Sequence, residues 1–184
     1  MLTILTLVGH SEENFERLRA ELREVVTDWV LVMDNECQPP PDYRYVRTTE
    51  ETRLNFGAMR NQGLALVKTP WVFHLDSDEW YSELQMRALL GILGELDEGI
   101  DCLMLPRRNV GLSGDWLGWP DTRPVVHRAD KGILWEGAVE EWPKPLEKVV
   151  MCTTPSSAIL HMQLNMEVRQ LVAQRRMEIS AVLN

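Results

Sequence analysis

The sequence predicts an α/β fold in which a mostly parallel central sheet is flanked by helices and followed by an irregular second half. Three observations predict it. The chain opens as strand, helix, strand, the start of a βαβ unit. A buried-type apolar run, Trp71-Val72-Phe73-His74-Leu75, leads directly into Asp76-Ser77-Asp78-Glu79. After Pro106 the texture changes, and residues 107–145 hold many Gly, Pro and Trp residues with little periodicity.

Each element has a local cause. Leu2 to Val8 is a near-continuous Leu/Ile/Val run, as in a strand covered on both faces. Ser11 reads as an N-cap with Glu12 and Glu13 in the first turn, and Phe15, Leu18, Leu22, Val25 and Val26 give that helix one apolar face. Trp29 to Met33 is the second strand, ending at Asp34-Asn35, and Gln38-Pro39-Pro40-Pro41-Asp42 is a loop. Tyr43 to Arg47 is a third strand, and Gly57 to Val67 a helix stopped by Lys68-Thr69-Pro70. Trp71 to Leu75 is the next strand. Ser82 and Gln85 form a capping box ahead of a helix whose stripe is Leu84, Met86, Leu89, Leu90, Leu93 and Leu96. Asp101 to Leu105 is a strand, and 107–145 is a functional stretch partly made of short strands. Val149 to His161 adds strands around a turn at Pro155-Ser156-Ser157, and Met166 to Leu183 returns to helical spacing. One domain covers 1–184, with a ligand-binding half at 1–105 and a second half with a C-terminal helix at 106–184.

Composition narrows the function. The chain has 184 residues, 45% hydrophobic and 26% charged, which is long enough for its own core. Its net charge of -9 disfavours a broad phosphate-backbone footprint. Cys37, Cys102 and Cys152 lack metal-ligand spacing and read as reduced thiols. No apolar run spans a bilayer and the amino terminus is short for a signal peptide, so a cytoplasmic location is expected.

The acidic cluster carries the chemistry. Ligands of open α/β sheets bind beyond the carboxyl ends of the strands, where Asp76 and Asp78 arrive one residue apart. Neighbouring carboxylates repel unless a cation neutralises them, and Mg²⁺ or Mn²⁺ suits oxygen ligands while leaving positions for phosphates. A solvated turn ahead of the next helix is the alternative.

The blocks Phe56-Gly57-Ala58-Met59-Arg60-Asn61-Gln62-Gly63-Leu64-Ala65 and Thr69 to Glu79 resemble the central region of family-2-type nucleotide-sugar glycosyltransferases with the GT-A (Rossmann-like) fold. Trp135-x-Gly137-x-Val139-Glu140-Glu141 resembles the later G-x-V-H-E segment of bacterial core-sugar and cell-surface transferases. The sequence departs from that pattern at Ser11, in place of Asn, and at Glu140, in place of His. The resemblance implies a metal-dependent, inverting transfer of a sugar from a nucleotide-diphosphate donor, most often a uridine diphosphate sugar, to an acceptor hydroxyl. It implies that Gly9 and His10 border the nucleotide, that Asp34 accepts a hydrogen bond from the base, and that Arg60 lies near the nucleotide or diphosphate. Asp76 would hold the ribose or the ion and Asp78 the ion, Mn²⁺ or Mg²⁺, with His161 a further ligand. Asn61 would be a turn-holder that positions Asp76. Glu141 is the first candidate base, followed by Glu140, Asp121 and Asp115.

Trp116, Trp119, Trp135 and Trp142 would offer an aromatic wall to an acceptor sugar. Arg107, Arg108, Arg123 and Arg128 would face phosphate on donor or acceptor, or balance neighbouring acids. A saccharide or lipid-linked acceptor is implied, a modified DNA base less so, and the oligomeric state is open. Two other readings compete: a non-catalytic relative that binds a nucleotide sugar or a partner, and a sugar nucleotidyltransferase. The acidic loop after the first strand disfavours the latter.

Overall fold

The computed structural model describes residues 1–9, 12–34, 37–38, 40–52, 55–110, 116–138 and 141–162, with backbone alone at Glu12, 116–120 and Met162. The N-cap Ser11 and the helix expected at 166–183 lie outside them. Strand β1 (Leu2–Val8) is buried at all seven positions, and β2 (Trp29–Met33) at all five. Both are covered on two faces, which is why neither alternates in sequence. Helix α1 (Glu12–Leu22) and helix α3 (Glu83–Glu95) pack on one face, sharing a core with Ile4, Val8, Phe15, Leu18, Leu22, Met86, Leu89 and Leu93. Helix α2 (Phe56–Leu64) covers the other face, where Leu5, Leu7, Val30, Val32, Met59 and Val72 meet. Each fully buried aliphatic side chain contributes about 1.5–3 kcal/mol. The helix starts are local: Asn55 accepts from the Ala58 amide at 2.9 Å, and the Ser82–Gln85 capping box is present in both directions.

The remaining strands are β3 (Arg44–Arg47), β4 (Trp71–His74), β5 (Glu79–Trp80), β6 (Cys102–Val110), β7 (Trp116–Arg128), β8 (Leu134–Glu136), β9 (Trp142–Lys144), β10 (Val149–Met151) and β11 (Ile159–Met162). One mixed sheet runs β3-β2-β1-β4-β7-β6-β11-β5, with β10 also on β6, and β8 pairs β9 in a separate hairpin. β1 is parallel to both β2 and β4. The chain therefore moves outward to β3 and returns across β1 to β4. The crevice beyond the carboxyl ends of β1 and β4 is the topological switch point, where such sheets bind ligands.

The second half differs from its sequence reading. The strand expected at 101–105 continues to Val110, and within the stretch read as irregular β7, 13 residues long, runs antiparallel beside it. Register shifts between Leu103 and Leu105 and between Arg107 and Asn109 break the two-residue alternation, so the pair left no clean period. Helix α2 ends at Leu64 rather than Val67. Cys37 and Cys102 are buried thiols outside any disulfide, whereas Cys152 is only half-buried. No helix among the described residues is long and apolar enough to cross a membrane.

Candidate active site

Of the residues expected beside a nucleotide, Gly9, Asp34 and Asp76 follow the carboxyl ends of β1, β2 and β4. Leu75 donates to the Leu5 carbonyl at 3.1 Å and Asp34 to the Val8 carbonyl at 3.3 Å, which places the ends of β4 and β2 on either side of β1. Gly9 follows β1, exposed, with open space where a Cβ would stand. Asp34 is half-buried, and its carbonyl accepts from Arg47 Nη1 at 3.1 Å. His10 lies outside the described residues.

Asp76 lies two residues past β4 and is gripped by Arg60 of α2. The guanidinium donates from Nη1 to Oδ1 at 2.9 Å and from Nη2 to Oδ2 at 2.7 Å. Its Nε donates to Glu141 Oε1 at 3.0 Å, so one arginine joins three distant segments. Burial opposes the charge on Arg60, but Asp76 and Glu141 outweigh it and hold the group firmly protonated. The fork expected to stand near a diphosphate is thus committed to two carboxylates, because a guanidinium at 8% side-chain exposure needs partners of its own.

Arg60 lies 5.0 Å above the Trp135 ring. Trp135 Nε1 donates to His74 Nε2 at 3.1 Å, and His74 stacks on His127 with their Nε2 atoms 2.9 Å apart. Burial, reinforced for His74 by His127 and Arg60, pushes His74 well below the ordinary imidazole value. Burial and Arg60 outweigh the Arg128 carbonyl and bring His127 down to about 4. Trp135 is therefore a floor under Arg60 and no part of an open aromatic wall. Trp142 is 39% exposed, and the side chains of Trp116 and Trp119 lie outside the described residues.

The β8–β9 hairpin that leads to Glu141 is docked on α2. Asn61 donates to the Trp135 carbonyl and accepts from its amide, both at 2.8 Å. It therefore holds β8, and not Asp76 as expected. Phe56 donates to the Ala138 carbonyl at 2.9 Å and Gly57 to that of Gly137 at 3.2 Å. A Cβ on Gly57 would sit 2.4 Å from the Gly137 oxygen, so only glycine allows this approach. Glu140 and Asp115 lie outside the described residues.

A second network surrounds Asp78. Its Oδ2 is 3.3 Å from His161 Nε2 of β11. Burial opposes ionisation of both groups, yet their pairing wins, holding Asp78 below the carboxylate range and His161 above the imidazole range. His161 Nδ1 meets Asn109 Oδ1 at 2.8 Å, and Asn109 Nδ2 reaches Asp121 Oδ2 at 3.3 Å. Arg107 donates to Asp121 Oδ2 from Nε at 3.0 Å and from Nη2 at 2.8 Å, and Arg123 Nε lies 2.9 Å from Asp121 Oδ1. Burial raises Asp121, but Arg107, Arg123 and Asn109 bring it below its ordinary value.

Sequence reasoning quoted Glu79 in the acidic motif but gave it no role. It is 5% exposed and accepts from the Asp76 amide at 3.0 Å, with Arg107 Nη1 3.6 Å from its other oxygen. Burial, then Asp76 and Asp78, push it up to about 7.

Among the described residues no three His, Cys, Asp or Glu side chains converge on one point, so the trio Asp76, Asp78 and His161 is not assembled. Arg60 draws Asp76 aside. Asp78 and His161 remain, an oxygen and a nitrogen donor facing one another. That pair would supply one oxygen and one nitrogen ligand to a divalent cation.

No family model and no curated protein matches the sequence. Solved structures do match it. S. aureus TarS 1–349 in complex with UDP-GlcNAc superposes with a TM-score of 0.62 at 12% identity, covering 95% of this chain and 66% of that one. The UDP complex of the same fragment gives 0.57 at 12% identity, covering 95% and 64%. A longer S. aureus TarS structure gives 0.60 at 10% identity, covering 96% of this chain and 39% of that one. The chain thus spans two thirds or less of the length of these structures. The likeness is one of fold: the chain has the mixed α/β sheet of a GT-A-type domain.

Proposed function

We propose that this chain transfers a sugar, with inversion, from a nucleotide-diphosphate donor, a uridine diphosphate sugar by the resemblance, to an acceptor hydroxyl. The observation that carries this reading is the end of β4, which splits two neighbouring carboxylates between different partners. Asp76 goes to the Arg60 fork and Asp78 to His161. The fold likeness to TarS, solved with UDP and UDP-GlcNAc, supports the donor class.

In this reading Gly9 leaves room for the nucleotide at the end of β1, and Asp34 accepts from the base. Asp76, fixed by Arg60, receives the ribose. Asp78 and His161 would hold Mn²⁺ or Mg²⁺, which when bound withdraws charge from the departing diphosphate. The acceptor hydroxyl attacks the anomeric carbon, the carbon–oxygen bond to the diphosphate breaks, and a base takes the hydroxyl proton. Glu141, which carries the single arginine Arg60 where Asp121 carries two, is the first candidate for that step. Asp121 is a poor base because Arg107 and Arg123 stabilise its anion, and it is better read as an orienting group. The acceptor is a saccharide or a lipid-linked sugar.

Calorimetry with UDP and UDP-GlcNAc tests the donor and metal assignments together. Mn²⁺ is expected to tighten binding, and Asp78→Ala to remove that gain while leaving the metal-free affinity in place. Equal affinity with a chelator present overturns the metal role. Release of diphosphate from a UDP-sugar distinguishes a transferase from a non-catalytic binder of the same ligand.

A further inference from the structure

Helix α2 presents two faces with different partners, since residues three and four apart share one side of a helix. Met59 and Gly63 turn to the sheet. Met59 packs with Leu5, Val32 and Val72, and a Cβ on Gly63 would stand 2.7 Å from side-chain carbons of Leu5 and of Val32. Gly57, Arg60 and Asn61 turn the other way, and all three bind the segment around the β8–β9 hairpin. The Phe56 and Gly57 amides donate to the Ala138 and Gly137 carbonyls, and Arg60 Nε donates to Glu141. Asn61 takes both backbone groups of Trp135. Asparagine is a weak former inside a helix, because its side chain competes for backbone hydrogen bonds. Here that tendency is used on another element. Trp135 lies opposite Pro143, which has no amide hydrogen to donate, so β9 offers the Trp135 carbonyl no donor at that register. The Asn61 amide stands where a neighbouring strand would.

We propose that Asn61 is a positioning residue for Glu141: by fixing Trp135 on α2 it sets where the hairpin delivers that carboxylate beside the crevice. The two carboxylates that share Arg60 reach it by different routes. Asp76 is placed by the sheet, through the Leu75 amide on the Leu5 carbonyl at 3.1 Å and its own amide on Glu79 Oε2 at 3.0 Å. Glu141 arrives on the hairpin, and α2 carries the hairpin. Loss of the Asn61 contacts therefore moves Glu141 and leaves Asp76 in place. A reacting group displaced by about 1 Å loses on the order of 100-fold in rate. The inference rests on the reading that Glu141 takes the acceptor proton, and its structural component is measured without any turnover.

The test compares the full chain with Asn61→Ala, Asn61→Gln and Glu141→Gln, each checked by a thermal melt. In Asn61→Ala the Trp135 amide should exchange with solvent about tenfold faster, having lost its acceptor. UDP affinity by calorimetry should stay at the parent value. With UDP-GlcNAc and water as acceptor, kcat for UDP release should fall on the order of 100-fold. Asn61→Gln keeps the amide on a side chain one methylene longer, and its kcat is expected between those of the parent and Asn61→Ala. It serves in place of Asn61→Ala if that variant does not fold. Unchanged exchange at Trp135, a parental kcat in the Asn61 variants, or a UDP affinity that falls as far as kcat overturns the inference. A parental kcat in Glu141→Gln overturns the assignment of the base instead. A parent chain that binds UDP and releases none from UDP-GlcNAc overturns the transferase reading, and the exchange result then decides whether Asn61 holds the hairpin.

Discussion

Arg60 occupies a site where lysine is no substitute. Three of its nitrogens donate to Asp76 and Glu141 while its plane lies over Trp135, a combination that needs a flat fork. An ammonium at the same place would keep the charge and lose the two-pronged contact. Arg60→Lys is expected to lower stability in urea by about 1–3 kcal/mol, and to weaken UDP binding because Asp76 is no longer held in one orientation. Unchanged stability together with unchanged UDP affinity would mean that the three-way contact has no role in holding the crevice. The roles of Asp76, Asp78 and His161 could be sought in the sequence because each sits at the end of an apolar run. Asn109, His127 and the reach of Arg60 to Glu141 could not. Asn109 is a polar residue inside a strand, and its partners lie 12 and 52 positions away. Glu141 lies 81 positions from Arg60, and no local pattern encodes that meeting.

The elements show the same division between local and distant causes. β1 and β2 were legible as apolar runs and α3 by its capping box, since those signals lie within a few residues. The β6–β7 pair was not, because its bulges disturb alternation and the partner strand is supplied by tertiary pairing. Glycines make the contrast testable. Gly57 touches the Gly137 backbone, whereas Gly91 in α3 has open space where a methyl group would stand. Gly57→Ala is expected to destabilise by about 1–3 kcal/mol through displacement of the hairpin. Gly91→Ala should stabilise by about 0.5–1 kcal/mol through helix propensity. Denaturant midpoints of the two variants should move in opposite directions, and a shift in the same direction would refute the docking argument.

For the whole molecule, the buried histidine pair makes acid a denaturant. His127 titrates near 4 in the fold and near the ordinary 6.5 when unfolded, and His74 is displaced in the same direction. Between those values the unfolded chain binds protons that the fold refuses, so the histidine contribution is complete above about pH 6.5 and falls as pH drops toward 4. Glu79 and His161 oppose it in part, because their raised values make the fold bind protons ahead of the unfolded chain. The slope approaches about 1.4 kcal/mol per pH unit for each histidine. Asp101 continues the loss further down. Its contacts with Lys131 and with the Lys148 and Glu147 amides hold it at about 2, so that contribution disappears as pH falls through that value. Thermal melts from pH 7 to 4 should show the decline, and His127→Phe should make it shallower. An equally steep limb in that variant would assign the acid sensitivity elsewhere.

The order of strands has a consequence for biosynthesis. β7 lies between β4 and β6, so the middle of the sheet is closed by a segment made late. As the polypeptide leaves the ribosome, β4 emerges with one edge satisfied by β1 and the other bare, and it stays so until Val126 to Arg128 have followed. Trp71, Val72 and Phe73 form that waiting edge, an apolar template for any neighbouring nascent chain. A version truncated after Leu105 would keep that edge permanently open and would be expected to aggregate, although its βαβ start is intact.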